Sequence, residues 1–181
     1  MIGEEEIPPL RSKLCNRNIL GEIFAELDYK VGAEIGVSTG LFSEVLLRAN
    51  PGLKFYCVDP WLAYETYPSQ RKNNRYFEET KQRLSPYNVE YLRMTSMDAL
   101  KKIPDNSLDF VYIDAIHDFD HLMMDIIGWS YKVRSGGIIS GHDYCKGYPE
   151  VPLAVDAYVK VKNLCLFLTN ERYSSWFFVK L

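Results

Sequence analysis

Val31-Gly32-Ala33-Glu34-Ile35-Gly36-Val37-Ser38-Thr39-Gly40 is the stretch on which the fold of this chain turns. An apolar run closes on an acid, two spaced glycines and a small polar residue. Phe42, Val45, Leu46 and Ala49 follow at i, i+3, i+4 and i+7, the spacing of one helical face. The pattern reads as a strand, a glycine turn and the start of an amphipathic helix. Glycine permits positive φ and lets a ligand come close to the backbone, and the helix start offers N–H groups with no intrahelical partner. In an open α/β sheet this is the first strand–loop–helix unit, where a nucleotide-like ligand docks.

The turn argues against a dinucleotide. A diphosphate site has G-x-G-x-x-G aimed at a helix N-terminus. Here the order is Glu34-x-Gly36-x-Ser38-x-Gly40, with serine at the middle glycine position. A carboxylate at the strand end repels a diphosphate and suits a ligand with a cationic amino group. That favours S-adenosylmethionine over NAD. The same residues also serve a plain strand–turn–helix.

With 181 residues the chain suits one domain with a full core. A net charge of −3 leaves no basic field for nucleic acid. The local basic cluster Arg71, Lys72 and Arg75 reads as a solvated helix face. The four cysteines, Cys15, Cys57, Cys145 and Cys165, are scattered without a C-x-x-C, which argues against zinc and redox motifs and for a reducing compartment. Glu4-Glu5-Glu6-Ile7-Pro8-Pro9 is unlike a secretory leader, and no apolar run reaches membrane-spanning length. The expected setting is cytoplasmic, with no membrane partner.

Residues 1–18 read as a lead-in, because acids and paired prolines do not make a core element; 19–181 is the domain. A short helix carries Leu20, Ile23, Phe24 and Leu27. Strands are expected at 31–37, 54–58, 89–93, 108–113 and 138–140, the last opened by Gly136-Gly137. Helices are expected at 39–49, 70–84, 97–102, from 119 onward and at 151–162. Two apolar runs, 164–168 and 176–179, make a closing hairpin. Alternating strands and helices imply a mostly parallel sheet covered on both faces. The connection 62–87 is long and mixes Tyr64, Tyr67, Tyr76 and Tyr87 with the basic cluster, which suits contact with a sugar-like or anionic acceptor as well as an ordinary surface helix.

Ligands in such sheets bind at the carboxyl ends of the strands, and every parallel strand here ends in polar groups. Asp59 follows the second strand, where an acid accepts both ribose hydroxyls. Trp61 either lies against the ligand or packs. Ser96, Met97 and Asp98 follow the third strand, within reach of an adenine; Ser96 or Asp98 bonds its amino group, or Ser96 caps a helix. Asp114 and His117 follow the fourth strand, beside a reactive methyl. Methyl transfer to oxygen requires the acceptor hydroxyl to lose its proton, and histidine titrates near neutrality. Asp114 orients the acceptor or binds a cation, or caps the next helix. His142 and Asp143 follow the fifth strand. Two carboxylates and an imidazole converging there suit an oxygen-preferring divalent metal such as Mg²⁺.

Taken together, Glu34-x-Gly36-x-x-x-Gly40, Val58-Asp59-Pro60-Trp61, Thr95-Ser96-Met97-Asp98-Ala99, Asp109 to Asp114-Ala115-x-His117, and Gly136-Gly137-x-x-x-Gly141-His142-Asp143-Tyr144 resemble class I S-adenosylmethionine-dependent methyltransferases. The likeness is nearest to small domains akin to macrolide-sugar O-methyltransferases and cephalosporin-hydroxylase-like proteins. It implies an α/β, Rossmann-like three-layer sandwich whose seven-stranded sheet has the order 3-2-1-4-5-7-6, strand seven antiparallel. It also implies that Asp114 and His117 supply a metal ligand and a catalytic base, with Asp143 a second metal ligand. The acceptor implied is a small polar molecule, a sugar or glycan-linked metabolite, with self-association left open. Two rival functions keep the fold: a metal-dependent enzyme of other chemistry, and a non-catalytic S-adenosylmethionine-binding partner.

Overall fold

The computed structural model describes residues 10–11, 16–63 and 69–181, with the first two described by their backbone alone. Tyr64 and Tyr67 of the tyrosine-rich connection lie outside the described residues. Among the described residues eight strands make one sheet: β1 (Leu10–Arg11), β2 (Val31–Ile35), β3 (Lys54–Val58), β4 (Val89–Leu92), β5 (Leu108–Ile113), β6 (Val133–Tyr144), β7 (Phe167–Leu168) and β8 (Ser174–Val179). Their order is β1-β7-β8-β6-β5-β2-β3-β4. Without β1 this is the expected seven-stranded order. Only β8 runs against its neighbours, pairing antiparallel with β6 and β7.

The helices are α1 (Ile19–Glu26), α2 (Leu41–Ala49), α3 (Gln70–Leu84), α4 (Ser96–Ala99), α5 (Phe119–Lys132) and α6 (Glu150–Lys162). Successive strand side chains point to opposite faces, so the buried strands feed two cores. Phe55, Phe110 and Tyr112 pack with Leu20 and Phe24 of α1 and Leu46 of α2. Ala33, Ile35, Val111 and Ile139 pack on the other face with Ile126 and Trp129 of α5 and Val155 of α6. Each such fully buried apolar side chain stabilises by about 1.5–3 kcal/mol relative to exposure. The parallel pairing of β2 with β3 and β5 brings Ile35, Val58 and Ile113 level, so three strands end side by side at one edge of the sheet.

Two sequence expectations change. Two residues of the lead-in, Leu10–Arg11, pair parallel with Phe167–Leu168 as the eighth strand. The fifth expected strand does not open at Gly136-Gly137. It starts at Val133, and its register against β5 shifts between Leu108 and Phe110, with Gly136 at φ 75°. The glycines mark an irregularity inside a longer strand.

Candidate active site

A cavity of about 1000 Å³ opens over the carboxyl ends of β2 to β6. Its floor is the turn after β2. Gly36 has φ 89°, and a Cβ there would stand 2.0 Å from the Asp114 carbonyl oxygen, so only glycine lets β2 and β5 close up at this point. Ser38 also takes a left-handed backbone, φ 54°. Its neighbours hold it there. The Ser38 N–H donates to Asp59 Oδ2 at 2.9 Å, and its carbonyl accepts from Trp61 Nε1 at 2.7 Å and from Thr80 Oγ1 of α3 at 3.0 Å. Trp61 (φ 43°) and Asp143 (φ 60°) share this backbone region. Strained residues gathered on one cavity are a mark of a functional site.

Asp59 is fixed by the backbone. Its Oδ1 accepts the Trp61 N–H at 2.7 Å while its Oδ2 takes the Ser38 N–H. Burial raises its pKa above the usual carboxylate value, opposed by these backbone bonds. Val37 adds a backbone bond, and a carboxylate's four acceptor sites still leave capacity for a ligand hydroxyl. Trp61 is buried and contributes to the cavity wall with its neighbour Pro60.

Across β2 from Asp59 stand Asp114, His117 and Asp143. One ligand atom from each lies within 4.8 Å of the others. His117 Nε2 is 2.8 Å from Asp143 Oδ2 and 3.6 Å from Asp114 Oδ1. It is nonetheless a buried nitrogen with no aligned hydrogen-bond partner among the described residues. The carboxylates of Asp114 and Asp143 raise its pKa to about 9 against the desolvation that lowers it. For Asp143 burial opposes ionisation, but His117 and His142 outweigh it and hold the pKa well below the usual carboxylate range. His142 is 3.2 Å from Asp143 Oδ1 but 3.9 Å from Asp114 Oδ2, and its ring stands outside the three-residue cluster. Its backbone carbonyl accepts from the Trp176 indole at 3.1 Å. Asp118 caps α5 through the His121 N–H at 2.9 Å, which leaves Asp114 free of the capping duty. Tyr148 stacks on the His117 ring at 4.5 Å, and both Tyr148 and Tyr173 line the cavity.

The adenine-side expectation divides. Ser96 and Met97 line the cavity, joined by Asp125 of α5. Thr95, not Ser96, caps α4 by accepting the Asp98 N–H at 3.2 Å. Asp98 turns outward to Lys101 at 2.8 Å and to Thr95 Oγ1 at 2.8 Å, away from the cavity wall. Glu34 also stands off the wall. It is 2% exposed and accepts the Ser43 hydroxyl under α2. Strand alternation puts its side chain beneath the helix, and burial lifts its pKa to about 8. Gly40 is the N-terminal cap of α2 at φ 72° and faces Thr80. Glu34 and Gly40 therefore shape the turn from behind, and Asp98 has no part in it. Of the basic cluster on α3, Arg71, Lys72 and Arg75 are exposed, while Asn73 and Tyr76 reach the cavity.

Arg17 was not anticipated. It precedes α1, lies 3.3 Å from Asp114 Oδ2 and stacks its guanidinium on Phe42 at 4.6 Å. It belongs to a stretch without periodicity, so no local signal marks it.

Known proteins share this fold. A family model described as a methyltransferase domain matches residues 31–144. The uncharacterized protein y4gI of Sinorhizobium fredii is 25% identical over 120 residues, 63% of this chain and 12% of that protein, so the chain spans a small part of that relative's length. A solved Staphylococcus aureus structure named after caffeoyl-CoA O-methyltransferase superposes with a TM-score of 0.70 at 12% identity, over 91% of this chain and 82% of that one. The Bacillus cereus O-methyltransferase, solved with S-adenosylhomocysteine, gives 0.63 at 17% identity over 90% and 80% of the two chains. TomG of Streptomyces achromogenes, an O-methyltransferase of tomaymycin synthesis solved with S-adenosylmethionine, gives 0.63 at 16% identity over 91% and 79%. At these identities the solved structures speak for the fold. The family model reaches from β2 to the last residue of β6, taking in every strand end of the cavity, and this chain belongs to the methyltransferase-domain family.

Proposed function

We propose that this chain is an S-adenosylmethionine-dependent methyltransferase that methylates a hydroxyl of a small polar, sugar-like acceptor. One observation carries the reading. A backbone-fixed acid suited to a ribose, Asp59, and a proton-handling cluster, Asp114, His117 and Asp143, line one cavity on either side of β2. The solved relatives that hold S-adenosylmethionine or S-adenosylhomocysteine support the choice of donor.

The acceptor oxygen attacks the sulfonium methyl in line, the C–S bond breaks, and the hydroxyl proton must leave. The cavity's main contribution is to hold both reactants in this geometry. His117 is the base. A pKa of about 9, raised by the carboxylates of Asp114 and Asp143 that face it, keeps it protonated near neutrality. Its use as a base therefore requires that their charge be taken up, and the paired carboxylates of Asp114 and Asp143 suit an oxygen-preferring divalent cation. Such a cation, held by the carboxylates of Asp114 and Asp143, would lower the acceptor hydroxyl's pKa and leave the His117 imidazole to take the proton. Tyr148 and Tyr173 offer flat apolar walls for the acceptor beside polar side chains.

No helix among the described residues is long and apolar enough to cross a membrane. The described cysteines, Cys57, Cys145 and Cys165, are free thiols, which supports a reducing, cytoplasmic setting.

A thermal-shift series tests the donor. S-adenosylhomocysteine should raise the melting temperature, as a native-state ligand must, and NAD should not. Asp59→Ala should weaken that ligand by roughly tenfold or more, because the ribose loses a charged partner. Stabilisation by NAD alone would overturn the reading.

A further inference from the structure

Building on the reading of the cavity as a donor site, we propose that Arg17 and Asp114 form a paired clamp for the amino-acid end of S-adenosylmethionine, with Arg17 holding its carboxylate. That end is a zwitterion, with ammonium and carboxylate on one carbon. The described wall carries four acids, Asp59, Asp114, Asp125 and Asp143, and Arg17 is the single Arg or Lys among its described residues. A carboxylate entering this acidic cavity meets one guanidinium, since the protonated His117 is already faced by Asp114 and Asp143.

The place fits as well. Arg17 Nη1 approaches Asp114 Oδ2 at 3.3 Å, longer than a tight charge-assisted bond. The guanidinium has five N–H donors in a rigid fork matched to carboxylates. Phe42 backs its plane, fixing the fork's orientation. The two oxygens of Asp114 divide their surroundings, Oδ1 toward His117 and Oδ2 toward Arg17. An ammonium and a carboxylate one carbon apart can lie alongside the Arg17–Asp114 pair with each charge against its opposite. Asp114 also abuts Gly36, so the pair sits at the turn after β2. The turn's own backbone is poorly placed to compete. The Ser38 N–H is taken by Asp59 and the Gly40 N–H by the Val37 carbonyl. The stretch read from sequence as a lead-in thus completes the donor site.

Calorimetric titration of the wild type, Arg17→Gln and Arg17→Lys separates the possibilities. The probes are S-adenosylmethionine, its decarboxylated analogue and 5′-methylthioadenosine, which lacks the amino-acid end. The wild type should prefer S-adenosylmethionine to the decarboxylated analogue by about 10- to 100-fold. Arg17→Gln should erase that preference and leave 5′-methylthioadenosine binding unchanged, while Arg17→Lys restores part of it. If Arg17→Gln keeps the wild-type preference, backbone N–H groups hold the carboxylate and the inference is wrong. If Arg17→Gln loses 5′-methylthioadenosine as well, the role is structural and the inference is equally wrong. Failure of the wild type to bind any of the three overturns the donor reading itself, a result distinct from the other two.

Discussion

Glu34 is a carboxyl enclosed by protein, and its protonation shapes stability. Burial is the largest cause of its rise from 4.5 to about 8, with the Ser43 hydroxyl and Arg17 acting against it and Asp114 and Asp59 with it. Between those values the unfolded chain has lost a proton that the folded chain keeps. Stability therefore falls as pH rises from about 4.5 to about 8 and gains no further slope from this group outside that window. Glu34→Gln keeps an acceptor for Ser43 and cannot ionise, so its denaturant midpoint should decline less than the wild type's across the window. Asp125, raised to about 6 by burial, and His117, raised to about 9 by its carboxylate neighbours, slope the same way in both proteins. The difference between the two curves isolates Glu34, and parallel curves would mean that the carboxyl is ionised in the fold. This residue also marks a limit of the sequence. An acid before Gly36 is plain to read, but its charge depends on which strand face it occupies and what covers it. The strand-end residues Asp59, Asp114 and Asp143 were legible because topology alone sends them to one edge. Arg17 was not, because what places it is contact with Asp114, distant in sequence.

Among elements, the link between α4 and α5 shows how the adenine end is held. The Ser96 hydroxyl accepts from the Trp129 indole at 2.8 Å and donates to Asp125. One hydroxyl thus ties a single-turn helix to the middle of α5 and satisfies two buried groups. Ser96→Ala takes this partner from both the Trp129 indole and the Asp125 carboxyl and should cost about 1–3 kcal/mol, the penalty for stranding buried polar atoms. Equilibrium urea unfolding measures it; a loss of a few tenths of a kcal/mol would mean that water replaces the hydroxyl. Most element positions were readable from period and punctuation. Helix α3 occupies the expected span, because Ser69 caps it and its polar face tolerates water. Its function as a cavity wall was not readable. It rests on Thr80 meeting the Ser38 carbonyl and Asn73 donating to the Leu62 carbonyl at 2.7 Å, contacts that no periodicity encodes. Strand β1 escaped notice for the same reason, since two residues carry no pattern and exist as a strand through β7.

Across the whole molecule, the sheet order decides the chemistry. Adjacent β5 and β6 run parallel, so Asp114 and Asp143 leave the sheet at one edge, and the loop after β5 swings His117 between them. Three ionisable groups gathered this closely have two explanations. Either they form a self-contained ion-pair network, with His117 protonated and acting as the cation, or they await a divalent metal. The two make opposite predictions. In the metal site, Mg²⁺ or Mn²⁺ should raise the melting temperature by native-state binding, and Asp143→Ala should abolish the effect. EDTA should suppress turnover in the wild type. His117→Ala should lower turnover on the order of 10²–10⁴-fold, the usual worth of a general base. It should leave S-adenosylhomocysteine affinity nearly unchanged, because the lost interaction belongs to the transition state. In the closed network, cations should leave the melting temperature alone, EDTA should have no effect, and His117→Ala should keep its turnover. The placement of the carboxylates favours the first. Asp114 and Asp143 lie at the ends of adjacent parallel strands, and each brings an oxygen within 4.8 Å of the other and of the His117 ring, the oxygen-rich set that a divalent cation takes.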